Sequence, residues 1–392
     1  HRATKLFLTF IFTGFILAGF LPGAASAYTV AEFGDGGFLN IDYQVQLRFA
    51  QSDIGSGPTQ DDATTDIYAR RNRLSFLGAL NDSLGFGVQF EYNGGRNIND
   101  LAVSQTASDY KLDTLDAYLV YTVSNALQFR AGKTKYILTR EVNEGCFQPL
   151  SMDRSLFING PFKGKRTRDN GVIAWGNIVN DKFQYRLAAM TGNSDAANKP
   201  GSAGYRYSGR IHYSLFDPET GLGYRGSYLG KKKVLTFGAG YETEADAVYT
   251  NDATQTGAED YKAFTYDAFL EYPTNSGTYT LSAAYLKQDF NKAGLNGVQF
   301  TTGIDGEKNG SYWKAGYMIG KTQVYVRMED WAFIELLGIT DQSVKWNAAG
   351  VNYYIKGNDL RVTLEYATAD FKKESGITKD MTTTILQIQA IF

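Results

Sequence analysis

The sequence predicts an all-β fold, a transmembrane antiparallel β-barrel of about sixteen strands. Three observations support this prediction. Apolar and polar residues alternate with a period of two, short and long connections alternate between these segments, and the chain ends on an aromatic residue, Phe392. The composition agrees, because aromatic residues make up 14% of the chain while its mean hydropathy is only −0.30. A barrel reconciles the two values, since each strand turns an apolar face to lipid and a polar face to a lumen.

The N-terminal segment has the pattern of a secretory signal peptide. Two basic residues precede an apolar run over residues 6–21, and residues 25–27 are an Ala-Ser-Ala cleavage site. The alternative is a membrane helix, but the run is short for a bilayer span and its small-residue flank is unlike a stop-transfer sequence. We therefore expect a signal peptide over residues 1–27, and a barrel over residues 28–392 that is exported to the bacterial outer membrane.

The alternation is clearest over residues 39–49. Its apolar positions are Leu39, Ile41, Tyr43, Val45, Leu47 and Phe49, and the residues between them are polar or charged. Successive side chains of a strand point to opposite faces, whereas a helix would mix both sets around its circumference. Similar segments recur along the chain, each about as long as a tilted strand that crosses the hydrocarbon layer.

Tight and long connections alternate, which predicts the topology. Tight connections with turn residues are predicted at residues 81–83, 124–125, 179–181, 273–277, 320–322 and 357–359. Long polar connections are predicted at residues 50–66, 95–112, 137–169, 193–205, 245–261, 291–309, 335–343 and 372–379. If the long connections are outer loops, both mature termini are periplasmic. The connection over residues 216–232 departs from the pattern, and a hairpin within it would raise the strand number to about eighteen.

The last segment closes the predicted barrel. Its apolar face carries Thr384, Leu386, Ile388, Ala390 and Phe392. In lipid every backbone polar group needs an internal partner, so this strand must pair with the strand that begins near Phe38. A terminal aromatic residue on an amphipathic strand resembles the assembly signal of outer-membrane barrels, and we expect the barrel-assembly machinery as a partner.

The sequence has no recognisable catalytic or metal-binding pattern. Its histidines are His1 and His212, and its one cysteine, Cys146, excludes an internal disulfide and a cysteine-rich metal site. It also lacks a phosphate-binding loop, a dinucleotide fingerprint and a histidine–carboxylate cluster. We expect no enzyme, no cofactor and no bound metal. The net charge of −2 gives no reason to expect a nucleic acid partner.

The connection over residues 137–169 is too apolar to remain in water. It contains apolar clusters at residues 146–150, 156–158 and 161–162, and their exposure would cost free energy. A barrel of this size is wide enough to hold the segment. We therefore expect this third extracellular loop to fold inward as a constriction loop, with Cys146 buried within it. Packing on the barrel rim or on a neighbouring subunit is the alternative.

The alternation assigns many charged residues to the lumen. The basic ones are Arg48, Arg71, Arg73, Arg130, Arg186, Arg206, Arg210, Arg327 and Arg361. The acidic ones are Asp42, Glu91, Asp116, Asp267, Glu271, Glu329 and Glu365. Rings of basic residues favour the passage of anions, whereas facing carboxylates weaken that preference.

Several short motifs resemble the phosphate-selective porin O/P family. They include Arg71-Asn72-Arg73-Leu74, Asp116-Ala117-Tyr118-Leu119, Arg130-Ala131-Gly132-Lys133, Asp153-Arg154-Ser155, Arg168-Asp169-Asn170-Gly171-Val172 and Gly350-Val351-Asn352-Tyr353-Tyr354. They follow the family's order over most of the mature chain. The resemblance implies a passive, sixteen-stranded, trimeric channel whose third loop folds inward. It also implies that basic residues line the path of an anion.

The candidate pore-lining residues are the basic residues of these motifs and of the predicted constriction loop. They are Arg130, Lys133, Arg154, Arg168, Arg71, Arg73, Lys163, Lys165 and Arg166. We expect a water-filled porin for small hydrophilic solutes, with a preference for phosphate or other oxyanions. It would form a homotrimer in contact with outer-membrane lipid and lipopolysaccharide. The alternatives are the barrel of an electron-conduit complex and a partner-binding barrel without an open pore.

Overall fold

The computed structural model describes residues 28–34, 36–57, 59, 61–93, 111–155, 167–193, 199–251, 253–291, 307–336, 339–372, 374 and 379–392. The predicted signal peptide lies outside these residues. Within them, no helix is long and apolar enough to cross a membrane. The elements in chain order are β1 (Tyr28–Phe33), β2 (Gly37–Ser56), β3 (Asp62–Ala79), β4 (Leu84–Asn93), β5 (Lys111–Ser124), β6 (Leu127–Lys135), α1 (Arg140–Asn143), β7 (Arg168–Ile178), β8 (Phe183–Met190), β9 (Arg206–Ser214), β10 (Val234–Val248), β11 (Glu259–Thr274), β12 (Gly277–Asp289), β13 (Glu307–Ile319), β14 (Thr322–Leu336), β15 (Ile339–Lys356), β16 (Leu360–Phe371) and β17 (Met381–Ile391).

Strands β2 to β17 form a closed antiparallel barrel, which confirms the prediction of sixteen strands. Each strand pairs with the next along the chain, and β17 pairs with β2 to close the ring. The closing register places Gln387 opposite Arg48 and Ile391 opposite Gln44. Strand β1 adds a short hairpin by pairing with the first residues of β2. Closure gives every strand of the ring two hydrogen-bonded neighbours, as a lipid environment demands.

The connections agree with the prediction at the tight turns and differ at two of the predicted loops. In the turn between β7 and β8, Val179, Asn180 and Asp181 all have positive φ. The loop predicted at residues 50–66 is short, because β2 extends to residue 56 and β3 begins at residue 62. The loop predicted at residues 335–343 is replaced largely by strands β14 and β15. In both places the strands extend further than the sequence predicts.

The connection between β9 and β10 contains no strand, so the alternative of about eighteen strands is wrong. All of residues 215–233 are described, and they run from the end of β9 to the start of β10 without a hairpin. Leu222 of this segment packs against the interior of the barrel, in a cluster with Ile137 and Trp175.

The two faces of the strands differ as the alternation predicts. On β11, Phe264 and Tyr266 are 42% and 56% exposed, whereas Asp267 and Glu271 are buried. The charged residues assigned to the lumen are all buried except Arg130 and Asp116, which are half-buried. The buried face also contains an aromatic region that the sequence analysis did not identify. Its largest members are Tyr261, Phe290, Tyr312, Trp331 and Trp346.

Phe392 anchors the closing strand to β2. Its backbone exchanges two hydrogen bonds with Tyr43, with N···O distances of 2.9 and 3.1 Å. The two aromatic rings are stacked with their centroids 6.2 Å apart. Each hydrogen bond contributes about 1 kcal/mol, and an aromatic pair adds about 0.5–1.5 kcal/mol.

We expect deletion of Phe392 to reduce the yield of assembled barrel severalfold, because it removes the last backbone pairing and the ring contact at the seam. The measurement is the fraction of protein that migrates as a folded, heat-modifiable species on gels. Phe392→Tyr keeps both contacts and is the matched control. Equal yields from the deletion and the control would contradict this role.

Candidate functional site

The loop between β6 and β7, called the β6–β7 loop, contains the predicted constriction loop. Its described part, residues 136–155, contacts the buried face of distant strands. The Pro149 carbonyl accepts a hydrogen bond of 2.9 Å from Arg361 on β16. The Leu150 carbonyl accepts one of 2.8 Å from Asn352 on β15. The two bonds join the loop to the barrel wall, and their partners are 212 and 202 residues apart in the sequence.

The apolar residues of the described loop are removed from water. Cys146, Phe147 and Leu150 are buried, and so are Ile137 and Leu138. This is the burial that the composition of the loop requires. Residues 156–166, which include the candidates Lys163, Lys165 and Arg166, lie outside the described residues.

Arg154 stabilises the loop internally and is buried. Its Nη1 donates to the carbonyl of Val142 at 2.9 Å and to that of Glu141 at 3.3 Å. Both acceptors belong to α1, whose N-terminus is capped by Thr139 through a 3.1 Å hydrogen bond from the Val142 N–H. Nη1 of Arg154 therefore binds the carbonyl end of this short helix, and its side chain does not line the cavity described below.

The β9–β10 connection is hydrogen-bonded to the β6–β7 loop. The Gly145 N–H donates to the Tyr224 carbonyl at 3.1 Å, and the Tyr224 N–H donates to the Asn143 carbonyl at 3.1 Å. A third bond of 2.9 Å runs from the Gly226 N–H to the Gln148 carbonyl. Gly226 is required here, because a Cβ would lie 2.3 Å from Oε1 of Glu144 and 2.5 Å from the Leu150 nitrogen. We call this contact between the two segments the junction.

A buried ion pair holds the junction together. The two terminal nitrogens of Arg140 bind the Glu219 carboxylate at 2.8 and 2.7 Å. The guanidinium lies 4.5 Å from the ring centre of Tyr224 and 4.0 Å from that of Phe269. Burial raises the pKa of Glu219, but Arg140 and the hydroxyl of Tyr228 lower it further, to about 2. Both members of the pair are therefore charged at neutral pH.

A cavity of about 420 Å³ lies between the junction and the wall formed by β2 to β7. Its lining contains five basic residues, Arg73, Arg130, Lys135, Arg168 and Arg225, and one acidic residue, Asp116. Tyr118, Tyr224 and Cys146 also line it. The structure thus brings three of the predicted residues, Arg73, Arg130 and Arg168, to one water-accessible place.

The basic residues of the cavity differ in how far they are neutralised. Arg73 is paired with Glu91. Arg168 forms two hydrogen bonds to Asp116, of 3.2 and 2.9 Å. The guanidinium of Arg130 lies 4.1 Å from the ring centre of Tyr118 and, within the described part of the chain, has no carboxylate partner. Cation–π contact leaves its full charge available to the cavity.

Two further basic residues enter the cavity without a carboxylate among the described residues. Lys135 donates to the carbonyl of Glu144 at 2.9 Å, and the side chain of Arg225 is exposed. Neither residue was predicted, because Lys135 ends a strand and Arg225 belongs to a connection whose residue pattern does not indicate a position in the lumen. Arg225 and Arg130 leave the cavity positive.

Lys133 and Arg71 are not part of the cavity lining. Lys133 alternates with Arg130 and Thr134 along β6, and its Nζ donates to the Thr114 carbonyl on β5. The family motif suggested Lys133, and the structure places its ammonium on the backbone of β5 and outside this cavity. Arg71 lies in a separate cluster around Asp153.

Cys146 lies among basic groups at the edge of the cavity. Burial raises the pKa of its thiol, but Arg154, Arg73 and Lys135 lower it further, so that it lies well below the ordinary value. This environment indicates a positive electrostatic potential at the junction, which is the property relevant to the passage of ions.

A closed sixteen-stranded barrel with an apolar outer face and a polar lumen is the architecture of an outer-membrane porin. Residues 39–392 match the family of phosphate-selective porins O and P, and the chain belongs to this family. No curated protein matches the chain.

Solved structures of porins share the fold. An anion-selective porin from Comamonas acidovorans is 13% identical with a TM-score of 0.61, over 91% of this chain and 100% of that chain. The outer-membrane channel DcaP of Acinetobacter baumannii is 13% identical with a TM-score of 0.57, over 92% and 100% of the two chains. The trimer form of OmpT from Vibrio cholerae is 15% identical with a TM-score of 0.50, over 90% and 99%. At these identities the likeness establishes the fold alone.

Proposed function

We propose that this porin passes small hydrophilic anions, phosphate or other oxyanions among them, in preference to cations. The observation that supports the proposal is the cavity beside the junction, where five basic side chains face one carboxylate. A lining of this charge lowers the free energy of an anion and raises that of a cation, without any chemical step. The family and the anion-selective porin of the same fold are consistent with this preference.

The β6–β7 loop is the constriction in this proposal. Its described residues contact β15 and β16 on one side of the lumen, while Arg73 and Arg130 lie on β3 and β6. An anion that passes between the loop and these strands meets the unpaired charge of Arg130. Arg154 contributes indirectly, because it holds α1 in place.

The remaining proposals concern the setting of the channel. The trimer form of a porin with the same fold supports a homotrimer. The exposed apolar and aromatic side chains of the outer face support contact with lipid and lipopolysaccharide. Export through a cleaved signal peptide and assembly by the barrel-assembly machinery follow from an outer-membrane location.

Replacing Arg130 and Arg225 together by Gln should reduce the ratio of chloride to potassium permeability severalfold. The double variant removes two charges that, among the described residues, have no carboxylate partner, and it keeps a polar side chain at both positions. The measurement is the reversal potential of the channel in planar bilayers under a salt gradient.

Lys133→Gln is the matched control, because it removes one positive charge from the same strand at a residue that does not line the cavity. We expect its reversal potential to equal that of the unmodified channel. Cation preference in the unmodified channel, or an unchanged ratio in the double variant, would contradict the proposal. A barrel that does not conduct at all would support the partner-binding alternative instead.

A further inference from the structure

Two rows of side chains cross the outer face of β10 to β13 near the tight turns. The register pairs Tyr272 with Tyr279 and Tyr279 with Tyr317, so three tyrosines lie side by side. Two residues deeper into the strands the paired residues are Leu235, Leu270 and Leu281. Tyrosine prefers the membrane–water interface and leucine the hydrocarbon, so the headgroups meet the acyl chains between the two rows. Tight turns are periplasmic in outer-membrane barrels, which makes this the periplasmic leaflet.

Lys233 continues the tyrosine row onto β10. It precedes Val234, which pairs with Glu271, so it lies beside Tyr272. Its Nζ is 4.3 Å from the ring centre of Tyr272 and 4.4 Å from that of Phe216. The two rings meet edge-on with centroids 6.3 Å apart, and they are 38% and 36% exposed. The ammonium is therefore held between two aromatic rings on the outer face, a position that cation–π attraction stabilises.

The N–H donors of the Lys233 ammonium have no oxygen partner among the described residues. The carboxylate of Asp217 accepts a hydrogen bond of 2.8 Å from the backbone N–H of Lys233 rather than from its ammonium. Contact with aromatic rings leaves the charge of a cation uncompensated. The ammonium is therefore available to an anion at the surface of the membrane.

A second ammonium reaches the same part of the rim. Lys182, which follows the turn between β7 and β8, donates from Nζ to the Leu215 carbonyl at 3.1 Å. Leu215 precedes Phe216 in the chain, so Lys182 and Lys233 both lie at the end of β9. The lysines of this part of the rim are Lys182, Lys231, Lys232 and Lys233, and its outward carboxylates are Asp181 and Asp217. An excess of lysine at a membrane surface attracts anionic headgroups.

The outer face beside these lysines is apolar. The residues that follow Lys233 on the outer face of β10 are Leu235 and Phe237, and Phe237 is 52% exposed. Leu215, whose N–H donates to the Leu235 carbonyl, is 45% exposed. A soluble anion would leave these side chains uncovered. A phospholipid places its phosphate at the lysines and its acyl chains on the apolar residues, so it matches both parts of the surface.

We propose that Lys182 and Lys233, with Phe216 and Tyr272, form a binding site for an anionic phospholipid of the periplasmic leaflet. The lipid phosphate accepts hydrogen bonds from the two ammonium groups, and the acyl chains cover the leucine row. Phosphatidylglycerol fits the site, whereas the ammonium of phosphatidylethanolamine is repelled by the lysines. The inference rests on the proposed setting of the channel, because the site requires a bilayer around the barrel.

Lys182→Gln combined with Lys233→Gln tests the site in the purified channel in detergent. Phosphatidylglycerol is titrated into the micelles, and native mass spectrometry gives the concentration at which half of the channels carry a bound lipid. We expect this concentration to rise by roughly tenfold in the double variant, because each lysine near the headgroup contributes to the attraction. The unmodified channel should bind phosphatidylethanolamine more weakly than phosphatidylglycerol.

Lys321→Gln combined with Lys356→Gln is the matched control. These two lysines lie on another part of the same rim, where Nζ of Lys321 donates to the Ile355 carbonyl at 3.2 Å. The control removes the same charge and should leave the half-saturating concentration of phosphatidylglycerol unchanged. Equal affinity for this lipid in the two double variants, or equal binding of the two lipids by the unmodified channel, would overturn the inference.

Inorganic phosphate distinguishes a lipid site from a site for any phosphate. It should not displace the bound phosphatidylglycerol, because it makes no contact with the leucine row, and complete displacement would overturn the assignment to a lipid. The reversal potential under a salt gradient should be the same in both double variants and the unmodified channel, since the four lysines lie outside the lumen. Failure of the lipid site would therefore leave the proposed anion preference in place.

Discussion

Glu219→Gln should release the junction and raise the single-channel conductance by roughly twofold or more, with larger fluctuations. Arg140 would then be a buried cation without its carboxylate, and removal of one partner of a buried ion pair costs about 3–5 kcal/mol. The three hydrogen bonds between the two segments contribute about 1 kcal/mol each. The ion pair therefore accounts for at least half of the free energy that these four interactions contribute to the contact between the β9–β10 connection and the β6–β7 loop. Recordings in planar bilayers give the conductance, and swelling of liposomes in sugars gives the size limit of the pore.

Acid should have the same effect on the unmodified channel. The pKa of Glu219 falls from 4.5 to about 2 in the folded protein. The stabilisation that it contributes is therefore complete above about pH 4.5 and is lost as the pH falls towards 2. Conductance should rise over this range in the unmodified channel and should change less in Glu219→Gln.

Asp61→Asn is the control for this prediction. It breaks an ion pair with Lys379 in which Asp61 is 50% exposed, and exposed pairs of this kind contribute little to stability. We expect the conductance and its pH dependence to remain as in the unmodified channel. Equal conductance in Glu219→Gln and the unmodified channel would show that the ion pair does not hold the junction.

Much of the barrel could be predicted from sequence because strand alternation is a local property. The polar positions of β11 and β16, such as Asp267 and Glu365, lie on the buried face, as the pattern requires. The pairing of the last strand with β2 could be predicted because an edge strand in lipid needs a hydrogen-bonded partner. Phe392 does contact Tyr43.

The junction could not be predicted, because its contacts are not local. Arg140 and Glu219 are separated by 79 residues and belong to two connections without a repeating pattern. The same reason explains Asp153, which meets Arg48 and Arg71 only after the β6–β7 loop has folded. The bulge at Arg70 adds to the difficulty, since a single extra residue interrupts the alternation on which the assignment of faces depends.

Glu144 should make the selectivity of the channel depend on alkaline pH. Burial and the neighbouring Glu141 raise the pKa of Glu144 to about 8, and its Oε2 has no hydrogen-bond partner among the described residues. Glu141 itself remains ionised, because Lys314 lies 2.6 Å away. Glu144 is therefore neutral at pH 7. The adjacent residues Asn143 and Gly145 line the cavity, so ionisation of Glu144 adds a negative charge beside the anion path.

We expect the preference of the unmodified channel for anions to fall severalfold as the pH rises through about 8. The stability of the junction should fall over the same pH range. Because the pKa of Glu144 is raised above 4.5 in the folded protein, the stability that its protonated form contributes is complete at low pH and is lost as the pH rises through about 8. Glu144→Gln resembles the protonated form, so its reversal potential should change less with pH than that of the unmodified channel. Glu32→Gln changes an exposed carboxylate near β2 and should follow the unmodified channel. Reversal potentials that change with pH equally in Glu144→Gln and the unmodified channel would assign the response to another group, because this variant has no carboxyl at position 144 to ionise.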